Sequence, residues 1–271
     1  MKDNDCIDFL QWALPRLGMR WPGFRKVRGQ VCKRLDRRLR ILKLADLQEY
    51  RNLLDDNPEE WQILDSLCRI TISRFYRDKK VFTVLAKKVL PELAEQVRAG
   101  QEKCLHLWSV GCASGEEPYT LALIWFFSLG EQFPEISLQI LGTDVDPFLL
   151  ERAGKGCYPG SSVKDLPEQW RKEAFLKVDR SYCLEERFRK PVKFRQQDVR
   201  HTLPDGPFHL VLCRNLVFTY FDLPLQHDFL ARISRSMSTN GILVIGSQEH
   251  LPEGQTFFED LMGGHGIYRK L

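Results

Sequence analysis

Three short stretches combine residue types suited to holding a nucleoside-like ligand. The first is Gly111-Cys-Ala-Ser-Gly115, a small-residue turn that follows the apolar run 105–110 and leads into Glu116 and Glu117. Glycine and alanine leave little side chain in such a turn, so a ligand can approach the backbone amides and the next helix N-terminus closely. The turn is neither Gly-x-Gly-x-x-Gly nor a phosphate loop ending in Gly-Lys-Ser/Thr, and two acids stand where a phosphate would want a lysine. A ligand with a cationic portion and no phosphate is therefore expected. The second is Asp144, which ends the run 138–144. An acid there can take both hydroxyls of a ribose, with helix capping before Pro147 as the competing role. The third, Cys213-Arg214-Asn215, ends another apolar run. Asn215 can donate and accept, and Leu216-Val217-Phe218 can wall a base. A nucleoside joined to an amino acid without phosphate describes S-adenosylmethionine.

These residues need parallel strands to bring them together. From residue 105 onward short apolar runs (105–110, 138–144, 208–213 and 242–245) alternate with helical patterns at 116–129, 147–154 and 223–237. That rhythm predicts β-α-β units and a doubly wound sheet whose ligands bind past the strands' carboxyl ends. Asn240-Gly241 reads as a turn into the strand at 242, and 265–271 as a closing edge strand. The charge-rich stretch 161–197 fits the rhythm poorly and reads as a possible inserted subdomain. The first part of the chain reads as helical. Val31, Leu35, Leu39 and Leu42 recur at helical spacing, and Asn57-Pro58-Glu59-Glu60 is a helix start with cap, proline and first-turn acids. Further helices are predicted at 46–54 and 79–98. The expected organisation is a helical domain over 1–78 and a cofactor-binding domain over 79–271.

Composition narrows the class. In 271 residues, 43% hydrophobic and 28% charged, no apolar run exceeds 121–127, far short of the roughly 18 residues a membrane span requires. Asp3, Asp5 and Asp8 stand where a secretory leader would be basic, so a cytoplasmic protein without membrane insertion is expected. Eight scattered cysteines contain no Cys-x-x-Cys pair, so reduced, mostly buried thiols and no metal site are expected. Eleven Lys/Arg against three Asp/Glu leave 20–51 at net +8 and the remainder at −4, within a total of +4. Such a block suits an acidic partner, either protein or nucleic acid.

The run Ser109-Val-Gly-Cys-Ala-Ser-Gly-Glu-Glu-Pro-Tyr-Thr-Leu-Ala122 resembles the signature of the CheR family, the chemotaxis-receptor glutamate methyltransferases. Phe75-Tyr-Arg-Asp78, Gly142-Thr-Asp-Val-Asp146, the block 213–222 and Gly246-Ser-Gln-Glu249 are similar to further family blocks in order and spacing, and the likeness covers residues 25 to 271. Two departures stand out: Thr-Ile-Ser-Arg replaces an Asn- and Thr-rich run before the aromatic pair, and one more residue separates Asn215 from Tyr220 than is usual. The resemblance implies a Rossmann-like methyltransferase domain preceded by a small all-α domain, binding S-adenosylmethionine and releasing S-adenosylhomocysteine. It implies that Glu117 and Asp144 hold the methionyl and ribose parts, with Arg77, Gly111, Ala113, Arg214 and Asn215 lining the pocket. Asp198 and Val199 would flank the adenine, and Thr71 and Ser73 would stand in the segment closing over the cofactor. Arg77 and Tyr220 would orient an acceptor carboxylate, and Arg34, Arg37, Arg38 and Arg40 would steer an acidic target such as a chemoreceptor's cytoplasmic helices. A nucleic-acid or small-molecule methyltransferase and a non-catalytic cofactor-binding module remain alternatives. Against nucleic acid, no Asn/Asp-Pro-Pro-Tyr element follows the third strand.

Overall fold

In the computed structural model, which describes residues 2–271, the chain divides into two compact units. One runs as far as Thr71 and takes in Thr219–Gln226; the other comprises Ile72–Phe218 and His227–Leu271. The first unit is helical, with helices at Asp3–Ala13, Trp21–Phe24, Arg28–Leu42, Leu47–Asp56 and Pro58–Cys68. Helix Arg28–Leu42 buries Val31, Leu35 and Leu39, the stripe its sequence spacing predicts. Asn57 caps the Glu59 amide at 3.0 Å with Pro58 in the first turn, and Asp46 caps Gln48 and Glu49.

Within this unit the basic helix turns much of its charge inward. Arg38 makes a two-pronged ion pair with Glu60, at 2.9 and 2.6 Å, and the Tyr50 hydroxyl donates to the same carboxylate at 2.6 Å. Glu60 is 3% exposed. Burial alone would raise its pKa, but hydrogen bonds from Arg38 and Tyr50 outweigh burial and hold it below the ordinary value. Arg34 donates to the carbonyls of Leu67 and Arg69, satisfying the end of the helix Pro58–Cys68.

The second unit is built on a seven-stranded sheet. Its strands are β1 (Cys104–Val110), β2 (Ser137–Asp144), β6 (Val192–Gln196), β7 (Phe208–Cys213), β8 (Met237–Ile245), β9 (Phe258–Asp260) and β10 (Ile267–Lys270). The order is β6-β2-β1-β7-β8-β10-β9, parallel from β6 to β8 and antiparallel at β10. Leu105 and Leu107 of β1, Ile140 of β2, Leu210 and Leu212 of β7 and Val244 of β8 join one core with Leu85, Leu93 and Leu121 of the helical segments. The predicted helix 79–98 is present, and its turn widens at Leu85–Val89, just before Pro91, whose missing N–H cannot serve an ordinary turn.

Several expectations are corrected. The stretch 161–197 contributes β4 (Phe175–Val178) and β5 (Ser181–Leu184), which join β3 (Cys157–Pro159) in a three-stranded antiparallel sheet. However, β6 lies in the same stretch and belongs to the main sheet. The strand at the C-terminus is not an edge, because β9 pairs outside it. Asn240-Gly241 lies inside β8 and does not precede it. The ladder there shifts register, and Asn240 has φ +57°, the signature of a bulge. Four cysteines are not free thiols: Cys6 bonds Cys32, and Cys157 bonds Cys183 across the β3–β5 pair. Both pairings are 26 residues apart and are set by which elements pack together, so no spacing rule announces them. Among the described residues no helix is long and apolar enough to cross a membrane, and no group of three or more His, Cys, Asp or Glu could hold a metal ion.

Glu60→Ala should destabilise the helical unit by about 3 kcal/mol, the scale for stranding one partner of a buried ion pair, read as a lower urea midpoint at neutral pH. A depressed folded pKa contributes stability that is present above the unfolded value of about 4.3 and lost as pH falls through the folded value. The gap between wild type and Glu60→Ala should therefore narrow on acidification. A gap that does not depend on pH would contradict the assignment.

Candidate active site

Strands β2, β1 and β7 are neighbours and parallel, so the residues just past their carboxyl ends share one rim of the sheet. The turn after β1 holds Gly111, Ala113 and Gly115 at φ +64°, +48° and +86°. Its amides are already engaged: Cys112 N–H donates to the Thr143 carbonyl and Ala113 N–H to Asp144 Oδ2, both at 2.9 Å. The glycines are required by packing. A Cβ on Gly111 would lie 2.6 Å from Leu216 Cδ2, and one on Gly115 would lie 2.9 Å from Phe194 Cζ. A side chain at either glycine would therefore collide with a neighbouring one, and two of the turn's amides are bound within the protein.

Asp144 is freed from capping by its neighbour. Asp146 caps the helix Pro147–Lys155, accepting from Phe148 N–H at 2.9 Å and Leu149 N–H at 3.4 Å. Asp144 instead accepts one backbone N–H on each oxygen, from Ala113 on Oδ2 and from Asp146 on Oδ1 at 3.0 Å. Burial raises its pKa, and the two amides partly offset that. A rigidly held carboxylate with a lone pair left on each oxygen fits a pair of vicinal hydroxyls.

Arg214, past the end of β7, has a side chain 3% exposed. It donates to Glu117 Oε2 at 2.9 Å, to Asp78 Oδ2, and to the Arg77 carbonyl at 3.2 Å, while stacking 5.2 Å over the Phe82 ring. Glu117 also accepts from the Ser109 hydroxyl at 2.8 Å. Two carboxylates around one guanidinium leave a net negative charge, and Asp144 adds another on the same rim. That set of acceptors fits a cationic, phosphate-free cofactor.

Arg77 is placed by the aromatic pair before it. Phe75 is fully buried, edge-on to Tyr158 and Phe175 at 4.8 and 5.4 Å, and Tyr76 N–H donates to the Thr120 hydroxyl. The Arg77 guanidinium turns back to the Ile72 carbonyl at 2.6 Å. Its adjacent acid, Asp78, pairs with Arg214 instead. Glu116 is 2% exposed and has its pKa raised by burial, an effect that Ser73 partly offsets. Asn215, at φ +56°, donates its N–H to Glu249 at 2.8 Å. Asp198 lies past β6 with its carboxylate wrapped by Arg200, so that hydrogen bonds outweigh burial and hold its pKa low. Val199 is buried, and its carbonyl accepts from Arg232 at 2.9 Å.

The structure thus gathers Arg77, Gly111, Ala113, Glu117, Asp144, Arg214 and Asn215 in one unit, with Ser73, Asp198 and Val199. Thr71 and Tyr220 belong to the helical unit, where the Tyr220 ring lies 4.9 Å from Phe24 and its carbonyl accepts from Arg20 N–H. The four arginines proposed for recognition divide. Arg34 and Arg38 are internal braces, Arg40 is paired with Asp36, and Arg37 is exposed. The sequence reading did not place Ser109, Asp78 or Glu249 in the site, although the family blocks it quoted contain all three.

Comparison with known proteins follows the same lines. A family model described as CheR methyltransferase, SAM binding domain, matches residues 71–267, and one described as CheR methyltransferase, all-alpha domain, matches 26–65. An uncharacterized 104.1 kDa protein of Rhodobacter capsulatus is 32% identical over 245 residues, which are 90% of this chain and 25% of that protein. A chemotaxis protein methyltransferase of Listeria innocua is 35% identical, covering 69% of this chain and 68% of that protein. Chemotaxis protein methyltransferase 2 of Pseudomonas aeruginosa is 30% identical, covering 81% of this chain and 78% of its own length. The chain therefore spans a quarter of the Rhodobacter protein's length.

Asp144→Ala should weaken S-adenosylhomocysteine binding roughly tenfold or more in titration calorimetry, the effect of losing a charged acceptor for buried hydroxyls. Unchanged affinity would remove Asp144 from the site.

Proposed function

The chain belongs to the CheR methyltransferase family, and on that premise we propose that it transfers a methyl group from S-adenosylmethionine to glutamate side chains of an acidic protein. The helical cytoplasmic segments of a chemoreceptor are the substrate class, and the reaction takes place in the cytoplasm. The observation that carries this reading is the rim where Asp144 and Glu117 stand in place of phosphate-binding groups, with Glu117 fixed by buried Arg214.

In this reading Asp144 receives the ribose hydroxyls and Glu117 the cofactor's ammonium. Arg214 and Asn215 line the pocket, Asp198 and Val199 flank the adenine, and Thr71 and Ser73 belong to the closing segment. When bound, the cofactor supplies a methyl group already activated by its sulfonium. The protein's task is positioning, because an in-line displacement gains mainly from orientation. A glutamate acceptor, with an ordinary pKa of about 4.3, is ionised at neutral pH and needs no general base. It does need removal from water and a fixed direction. Arg77 supplies the direction through its planar fork. Contacts that grip the ground state as tightly as the transition state would add nothing to turnover, so Arg77 acts by orientation. Arg37, exposed on the basic helix, attracts acidic targets at long range, and salt weakens that attraction.

Incubation with methyl-labelled cofactor and an acidic proteome, followed by mild alkali, tests the reading. Carboxyl esters release volatile methanol, and label that resists alkali would overturn the proposal. Arg77→Ala should lower kcat about a hundredfold, the scale for a lost orienting donor. Its effect on S-adenosylhomocysteine affinity should be smaller, because the main-chain carbonyl that Arg214 uses is kept. A variant with full turnover would remove Arg77 from the acceptor's path.

A further inference from the structure

We infer that Glu249 is a positioning residue that fixes the loop after β7 in its cofactor-binding conformation; this rests on the cofactor role proposed for Asn215. Glu249 lies four residues past the end of β8 and is 6% exposed. Its Oε2 accepts two backbone N–H groups, from Asn215 at 2.8 Å and from Gly246 at 2.6 Å. One carboxylate oxygen thereby ties the carboxyl end of β7 to that of its parallel neighbour β8. The tie falls at Asn215, whose φ of +56° is a conformation that side-chain-bearing residues adopt reluctantly. Arg214, one residue earlier, carries the ion pairs to Glu117 and Asp78. Freeing the Asn215 amide therefore loosens the residue that faces the cofactor and the one that fixes Glu117.

The spacing at Gly246 supports the same reading. A Cβ there would lie 2.8 Å from Glu249 Oε2 and 2.9 Å from Asn215 Nδ2. Asn215, Gly246 and Glu249 thus interlock, and glycine is the only residue that leaves room for the other two. This accounts for the Gly246-Ser-Gln-Glu249 block without giving Glu249 any contact with substrate. Gln at 249 keeps a carbonyl oxygen able to accept both amides, whereas Ala keeps nothing.

The test uses S-adenosylhomocysteine binding by titration calorimetry on the full chain, at a temperature well below each variant's melting point. Glu249→Ala should weaken binding about tenfold or more, the scale for stranding two buried amides that share a charged acceptor. Glu249→Gln should restore most of that affinity, a rescue that general destabilisation would not give. Gly246→Ala, which displaces Glu249 and Asn215 together, should lose affinity as Glu249→Ala does, and it decides the matter if Glu249→Ala does not fold. Wild-type affinity in Glu249→Ala, or in Gly246→Ala where that is the deciding variant, overturns the proposal. So does a Glu249→Gln variant as weak as Glu249→Ala. The readout needs no methyl acceptor, so a chain that binds the nucleoside but methylates no carboxylate would overturn the proposed function and leave this inference standing.

Discussion

Arg214 is a cation taken almost entirely out of water, and the rest of the rim is arranged around that fact. A buried guanidinium is tolerated only where its charge is paired. The structure pairs it through the two terminal nitrogens, with Glu117 from the helix after β1 and with Asp78 and the Arg77 carbonyl from the segment that carries Arg77, and leaves Nε buried without a hydrogen-bond partner. Two separate parts of the chain are tied to a single side chain. The tie explains why a glutamate, which is mobile on an exposed helix, has one orientation here. It also explains why Asp78, the obvious surface partner for Arg77, is withdrawn and leaves Arg77 to its own loop.

The charge balance that results suits a cationic ligand. Glu117 and Asp78 together exceed Arg214 by one negative charge, and Asp144 adds a second. Each Asp144 oxygen is oriented by a backbone amide. The amides of the β1 turn are spent on Thr143 and Asp144, which removes the anion cradle that a glycine-rich turn usually offers. The glycines of the turn are required by packing. Leu216 and Phe194 occupy the places where side chains would have stood.

How much of this is legible in the sequence depends on the range of the interaction. Strand ends, the Asn57 cap and the stripe Val31, Leu35, Leu39 follow from local periodicity and capping, and the structure has them where the pattern puts them. For Asp144 the pattern left capping of the next helix open, and the structure gives that cap to Asp146. Contacts between distant segments were not legible. Asp78 meets Arg214 across 136 residues, and Arg38 meets Glu60 across 22, so the basic run 20–51 reads as a recognition surface when part of it is internal bracing. Strand β6 was hidden for another reason. Val192-Lys-Phe-Arg-Gln196 is an edge strand with charges on its exposed positions, which resembles a solvated loop more than a buried strand.

Backbone strain concentrates at the site. Among the described residues eight non-glycine residues have positive φ, and four of them are Tyr76, Asp78, Ala113 and Asn215. Each such residue costs on the order of 1 kcal/mol or more, and it persists only where surrounding contacts over-determine it. Every one of the four has a partner of that kind: the Thr120 hydroxyl for the Tyr76 amide, Arg214 for the Asp78 carboxylate, Asp144 for the Ala113 amide and Glu249 for the Asn215 amide. All four bonds use a polar side chain, and a conformation that local preference disfavours is held from elsewhere in the chain. A rim assembled this way is rigid before any ligand arrives. A reaction that relies on orientation more than on acid–base chemistry requires that rigidity, and folding energy sustains it in place of sequence-local propensity.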